Sequence, residues 1–162
     1  MARKSGNLVE IPLGDGQAGL ARDVGTEVEF YDRLIMEGES IDMVDLQRTA
    51  VAFRVPVMDS AFKRGGPWRV IGQLPLRDDE PQETRHFKQD AITGELSIYW
   101  EDSVRGTWHE EPATLEDCAD LERSAVWSAS HVEDRLRDHF AGRPNIWVGS
   151  LAINADAVSK PL

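Results

Sequence analysis

Four histidines, one cysteine and a run of carboxylates are the side chains with most scope for chemistry in this 162-residue chain. The histidines are His86, His109, His131 and His139. No two of them stand at the i, i+4 spacing that aims two imidazoles at one metal, and neither H-E-x-x-H nor C-x-x-C occurs. His131 and His139 fall on roughly one side of a helix, but two turns apart, ~12 Å along its axis. A surface or capping role suits them better than a shared metal. His109-Glu110-Glu111, beside Trp108, comes nearest to an acid/base cluster. On a strand only His109 and Glu111 would share a side, and a solvated acidic loop is the simpler expectation. Cys118 has Glu116, Asp117 and Asp120 around it, and such neighbours oppose thiolate formation. Beside Leu115 and Ala119 it reads as a small apolar filler. The glycine-rich Leu13–Gly19 stretch lacks the Lys-Ser/Thr ending and the helix that a phosphate loop requires. No catalytic residue, metal ligand or cofactor site is therefore assigned.

Charge is the stronger signal. The net charge is −11, and between Asp78 and Asp120 thirteen acidic residues face only Arg85, Lys88 and Arg105, which places −10 in that stretch. A field of this sign repels phosphate backbones and anionic lipid, and it attracts basic partners. Direct nucleic-acid binding is thus not expected. Five tryptophans are present, and Trp68, Trp127 and Trp147 read as core. Trp100 and Trp108 bracket Glu101-Asp102 and adjoin Glu110-Glu111, and aromatic anchors rimmed by charge are the make-up of protein–protein hot spots. The candidate partner-binding residues are Asp78, Asp79, Glu80, Trp100, Glu101, Asp102, Trp108, Glu110 and Glu111, on a surface spanning residues 78–111.

The elements that must position these residues follow from the pattern along the chain. Length and composition suit one domain, with 41% hydrophobic and 29% charged residues. A single cysteine excludes an intrachain disulfide and fits a reducing, cytosolic setting. No apolar run of signal-peptide or membrane-span length is apparent. Residues 6–111 read as β. Asn7–Leu13 and Gln17–Val24 flank a tight turn at Gly14-Asp15-Gly16. Glu27–Leu34 alternates as a half-buried strand, and Glu37–Gln47 reads as a loop. Ala50–Val57 resembles a central strand that Pro56 must end or push to an edge. One helical turn is expected at Asp59–Lys63, then a strand at Trp68–Leu74. Glu83–Gln89 and Glu95–Glu101 form a hairpin around Asp90–Gly94.

The period changes over residues 114–143. Thr114 reads as an N-cap, and Ser130-His131-Val132-Glu133 as a capping box opening a helix with a Val132, Leu136, Phe140 stripe. Glu133 and Arg137 are spaced to pair, and Gly142 and Pro144 end the helix. Ser124–Trp127 leans to strand, and residues 144–162 form a short tail. Strands followed by helices give an α+β class: a strongly curved or barrel-like antiparallel sheet with a C-terminal helical segment packed on it.

Gly6–Gly16 with Gly19–Arg22, then Val55–Ala61 with Trp68–Leu76, then Leu121–Trp127 with His131–Leu136, resemble in order the immunity protein 26 family of bacterial polymorphic toxin systems. The resemblance runs from about Gly6 to Val148. It implies a cytosolic antitoxin that binds and blocks a cognate toxin domain, with no enzymatic activity of its own. Asn7-Leu8-Val9-Glu10 departs from the more apolar strand that the family leads one to expect, and a charged sheet edge would explain it. The acidic stretch suits occlusion of a basic, nuclease-like surface. Two other readings stay open: a small hydrolase or sugar-modifying enzyme using His109 and nearby carboxylates, and a general interaction module.

Overall fold

A computed structural model describes residues 3–80, 84–102 and 105–158. In chain order the elements are strands β1 (Asn7–Gly14), β2 (Gln17–Asp23) and β3 (Val28–Met36), helix α1 (Met43–Gln47), and strand β4 (Val51–Val55). Next come β5 (Arg69–Gln73), β6 (His86–Gln89), β7 (Leu96–Asp102) and β8 (Thr107–Ala113), then helices α2 (Leu115–Cys118), α3 (Ala129–Ala141) and α4 (Ile146–Ser150). The class is α+β. The strands form two antiparallel sheets, ordered β4-β3-β2-β1-β5 and β6-β7-β8, and neither closes into a barrel. The chain divides into two compact units, Met1–Glu80 with Val126–Asn145, and Pro81–Ala125 with Ile146–Leu162.

In the first unit the β1–β2 turn holds Asp15 at φ 53° and Gly16 at φ 74°. Both are left-handed, as a two-residue hairpin with the right-handed twist of its strands requires. Each of the four ladders carries one register irregularity, at Pro12/Gly14, Leu8/Val9, Gly19/Ala21 and Phe30/Tyr31. Such bulges bend strands and increase twist, so the sheet curves without closing. One cluster buries Leu8, Leu20, Tyr31, Ile35, Leu46 and Leu74. Elsewhere Phe30 stacks on Phe53 at 4.6 Å and meets the edge of Trp68 at 5.9 Å.

Helix α3 supplies Val132 and Leu136, both fully buried. Leu136 packs so tightly over Gly19 that a Cβ there would come within 3.1 Å of its Cδ1. Ser128, not Ser130, caps this helix by accepting from the His131 amide at 3.3 Å. The helix begins one residue later, at Ala129, so Ser130 lies in its first turn. Glu133 is thereby freed to accept from the Trp68 indole at 3.1 Å. Arg137 pairs with Asp134 and donates to the Leu13 carbonyl, in place of the expected Glu133 partner. Gly142, at φ 68°, closes the helix as anticipated.

Three further expectations are corrected. The 37–47 segment is not all loop, because Asp42 accepts from the Val44 amide at 2.8 Å and starts α1. Strand β4 lies at the sheet edge and not in its centre, and it ends before Pro56, as the proline led one to expect. Ser124–Trp127 forms no strand; Arg123 and Trp127 each make a single parallel bridge, to Phe87 and Val57.

Glu10 does not mark a sheet edge. Strand β1 lies between β2 and β5, and Glu10 is 1% exposed. Arg69 on β5 reaches over to it, and the Gly38 amide donates to it at 3.0 Å. A second buried set centres on Glu29. Its two oxygens accept from Arg22 and Arg54, each at 2.6 Å, and Arg22 also bonds Glu80 at 2.5 Å. A buried carboxylate is tolerable only with such full pairing. The neighbouring Tyr31 hydroxyl is pushed far up by burial and remains protonated, the Glu29 charge adding to the effect.

Acid should therefore unfold this protein progressively. Burial pushes the Glu80 carboxyl up, but the Arg22 hydrogen bond, the Arg77 amide and both guanidinium charges outweigh it, leaving it below the usual carboxylate range. Hydrogen bonds from the Thr114 backbone and hydroxyl depress Asp117, and bonds from Asn145 and Arg143 depress Asp138. Carboxyls with lowered folded values stabilise fully above their unfolded pKa, near 4, and lose that contribution as pH falls through the folded values. The urea midpoint should fall below about pH 4–5, and Glu80→Gln should make that fall shallower. Parallel profiles for the two proteins would contradict the assignment to Glu80.

Candidate partner-binding surface

The second unit is built on β7, where residues alternate between two faces of a three-stranded sheet. Leu96, Ile98 and Trp100 turn to one face, and Ser97, Tyr99 and Glu101 to the other. On the first face Leu96 and Ile98 pack with Phe87 and Cys118, backed by Leu121, Ile153 and Val158. Burial pushes the Cys118 thiol up and Asp117 adds to it, so it stays protonated as the apolar filler its neighbours suggested. The C-terminal stretch locks onto the β6–β7 hairpin. Gln89 donates to the Asn154 carbonyl at 2.9 Å, and its oxygen accepts from the Asn154 amide at 3.0 Å. At Gly94 the backbones come so close that a Cβ would lie 1.7 Å from the Ala157 oxygen.

The expected acidic loop around His109 is strand β8, paired with β7 in unbroken register from Leu96↔Ala113 to Asp102↔Thr107. That register settles which candidates meet. Trp108 pairs with Glu101, and Glu110 with Tyr99, so Trp108, Glu110, Tyr99 and Glu101 share the second face. Trp100 pairs with His109, and Glu111 with Ile98, on the first. The two tryptophans that bracket the carboxylates in sequence therefore lie on opposite faces.

On the second face Trp108 is 65% exposed, and its ring is tilted against Tyr99 with centroids 6.3 Å apart. Tyr99 donates to Glu101. Burial, with the Glu101 and Glu110 charges, pushes its hydroxyl up to about 12. Glu110 accepts from Ser97 at 2.7 Å and faces Lys88 at 3.6 Å, while Lys88 lies 4.2 Å from the Tyr99 ring. The Ser97 bond, with Lys88 behind it, depresses Glu110, which stays ionised. On the first face Trp100 is sandwiched between His109, stacked at 5.2 Å, and the Arg85 guanidinium at 4.3 Å. Arg85 also lies 3.9 Å from Glu111. His109 has the Thr107 hydroxyl 3.4 Å from Nε2. That contact orients the ring without aiming it at a carboxylate.

Asp78, Asp79 and Glu80 belong to the first unit. Asp78 and Asp79 are exposed, whereas Glu80 is half-buried on Arg22. Glu83, expected to open the β6 strand, lies outside the described residues, as do residues 103–104 of the 78–111 surface. Tyr99, Ser97, Lys88 and Arg85 were not among the candidate residues, although alternation along β7 carries the signal for Tyr99. Among the described residues no group of three His, Cys, Asp or Glu side chains is placed to hold a metal ion. No helix among them is long and apolar enough to cross a membrane.

The family model for immunity protein 26 matches residues 4–97, well over half of the chain. The chain belongs to the immunity protein 26 family. Membership gives it an immunity protein's role, which is to bind a cognate toxin. The matched segment spans the whole five-stranded sheet and β6, and ends two residues into β7. The later motifs, Leu121–Trp127 and His131–Leu136, lie beyond it. Among curated proteins, UvrABC system protein B of Gemmatimonas aurantiaca is 26% identical over 139 residues. That similarity takes in 85% of this immunity protein and 17% of its relative. No solved structure matches the chain.

Proposed function

We propose that this immunity protein neutralises its toxin by covering a basic surface with the β7–β8 surface of its second unit, and that it acts by binding alone. The observation that carries the reading is Trp108, an indole left 65% exposed on a strand and rimmed by Glu101 and Glu110. An apolar ring of that size held in water gains most by burial against a partner. Charge supports the same unit. The second unit's sequence has 5 basic and 12 acidic residues, a net −7, against −4 for the rest. A nuclease toxin must hold phosphates with basic side chains, and such a cleft complements this surface and would be drawn to it quickly. Asp78 and Asp79, on the first unit, are a secondary candidate.

Residues Trp100–Glu111 lie outside the segment that the family model matches. A recognition surface there can differ between members that meet different toxins, while the first sheet stays common to them.

Co-expression tests the function. Cells producing the cognate toxin domain should survive when this chain is produced with it, and the two should copurify as a stable complex. Death at the same rate, with no complex, would remove the immunity reading.

A further inference from the structure

We infer that β8 is an open edge onto which an extended, basic segment of the toxin adds as a fourth strand. This deepens the proposed reading and rests on it.

The two edges of the small sheet differ. At β6 the outer edge is covered: the Phe87 amide donates to the Glu122 carbonyl at 3.0 Å, and the Phe87 carbonyl accepts from Ser124 at 2.8 Å. Those bonds also fix the phase of both ladders. Phe87 points its backbone groups outward, so His86 and Lys88 bond Tyr99 and Ser97 on β7. The alternate β7 residues, Leu96, Ile98, Trp100 and Asp102, then bond Ala113, Glu111, His109 and Thr107 on β8. What remains faces away from the sheet: the amides of Trp108 and Glu110, and the carbonyls of Trp108, Glu110 and Pro112.

Natural edges are usually blunted by charged side chains, lysine above all, by bulges or by proline, and β8 carries the charged Glu110 and Glu111, one on each face. Strand β8 has no lysine and no register irregularity, and Pro112 removes one donor near its end only. Thr107 to Pro112 are exposed on both faces. Open edges of this kind recruit an extended partner strand through main-chain bonds, with side chains setting specificity.

Charge selects the occupant. A second copy of β8 would bring its own carboxylates to strands already carrying Glu110 and Glu111, and like charges across a pair are unfavourable. A strand with two consecutive Lys or Arg residues would meet Glu110 on one face and Glu111 on the other. An apolar residue two positions from the first of these would cover Trp108.

Amide hydrogen exchange tests the pairing, using the toxin domain that the chain neutralises on co-expression. In the complex the Trp108 and Glu110 amides should slow by at least about tenfold, while those of Thr107, His109 and Glu111, already bonded, change less. Glu110→Pro removes the outward amide together with the carboxylate and its Ser97 and Lys88 contacts, and it should weaken the complex far more than Glu110→Gln, which removes the same charge and keeps the amide. A complex in which both outward amides exchange at the free rate would overturn the strand addition and leave the immunity reading standing. Protection of those amides in the free chain at high concentration would overturn it in favour of self-pairing. Failure to form any complex would instead count against the immunity reading itself.

Discussion

Trp108→Ala should weaken the toxin complex by about 2–4 kcal/mol, roughly 30- to 1000-fold in Kd. Central aromatic anchors lose this much because truncation removes a large buried area and admits water to the pairs around it. In the free protein the same ring contacts Tyr99 and is otherwise exposed, so unfolding stability should change by no more than about 0.5 kcal/mol. The pair of results is diagnostic. Loss of affinity at constant stability places Trp108 in the interface, and titration calorimetry with urea unfolding measures both. Trp100, sandwiched between Arg85 and His109 on the opposite face, provides the internal comparison.

The largest stability effect should come from Glu29→Gln. The substitution keeps the volume but removes the charge that Arg22 and Arg54 share. Arg22 is 6% exposed, and a buried guanidinium that loses its carboxylate costs about 3–5 kcal/mol. Glu80 still reaches Arg22 from the end of the first unit, which keeps the loss from being total. Urea unfolding should show the midpoint fall with little change in slope. A change under about 1 kcal/mol would mean that the pair contributes no more than a surface bridge. This network lies in the segment matched by the family model, and the prediction concerns the scaffold independently of any toxin.

Much of this architecture was legible before the structure. The Gly14-Asp15-Gly16 turn and the glycine stop of α3 have local causes, and local causes show in sequence, whereas the alternation expected of β3 fails because Glu29 and Tyr31 are buried along with Val28 and Phe30. Glu10 and Glu29 look like solvent-facing carboxylates, because Arg69 and Arg54 arrive from later strands and the Arg22–Glu29 pair forms only once β2 and β3 are in register. Ser130-x-x-Glu133 has the spacing of a capping box, but Ser128 caps the helix two residues earlier and Glu133 bonds Trp68 instead. The candidate surface was legible in composition and misread in geometry. Counting along the chain groups Trp100 with Trp108, whereas the β7–β8 register sets them on opposite faces. The acidic stretch from Asp78 to Asp120 nearly coincides with the first segment of the second unit, but the unit's other segment, Ile146–Leu162, lies apart in the chain and carries no such signal.

The most direct measurement of the central claim is the association rate of chain and toxin domain as a function of salt. It compares the natural protein with one carrying Glu101→Lys, Asp102→Lys, Glu110→Lys and Glu111→Lys. Steering by an acidic face predicts fast association that slows steeply as salt rises, and a variant slower by at least about tenfold at low salt with a flattened dependence. Equal rates and equal salt slopes for the two proteins would show that the toxin meets some other surface of the molecule.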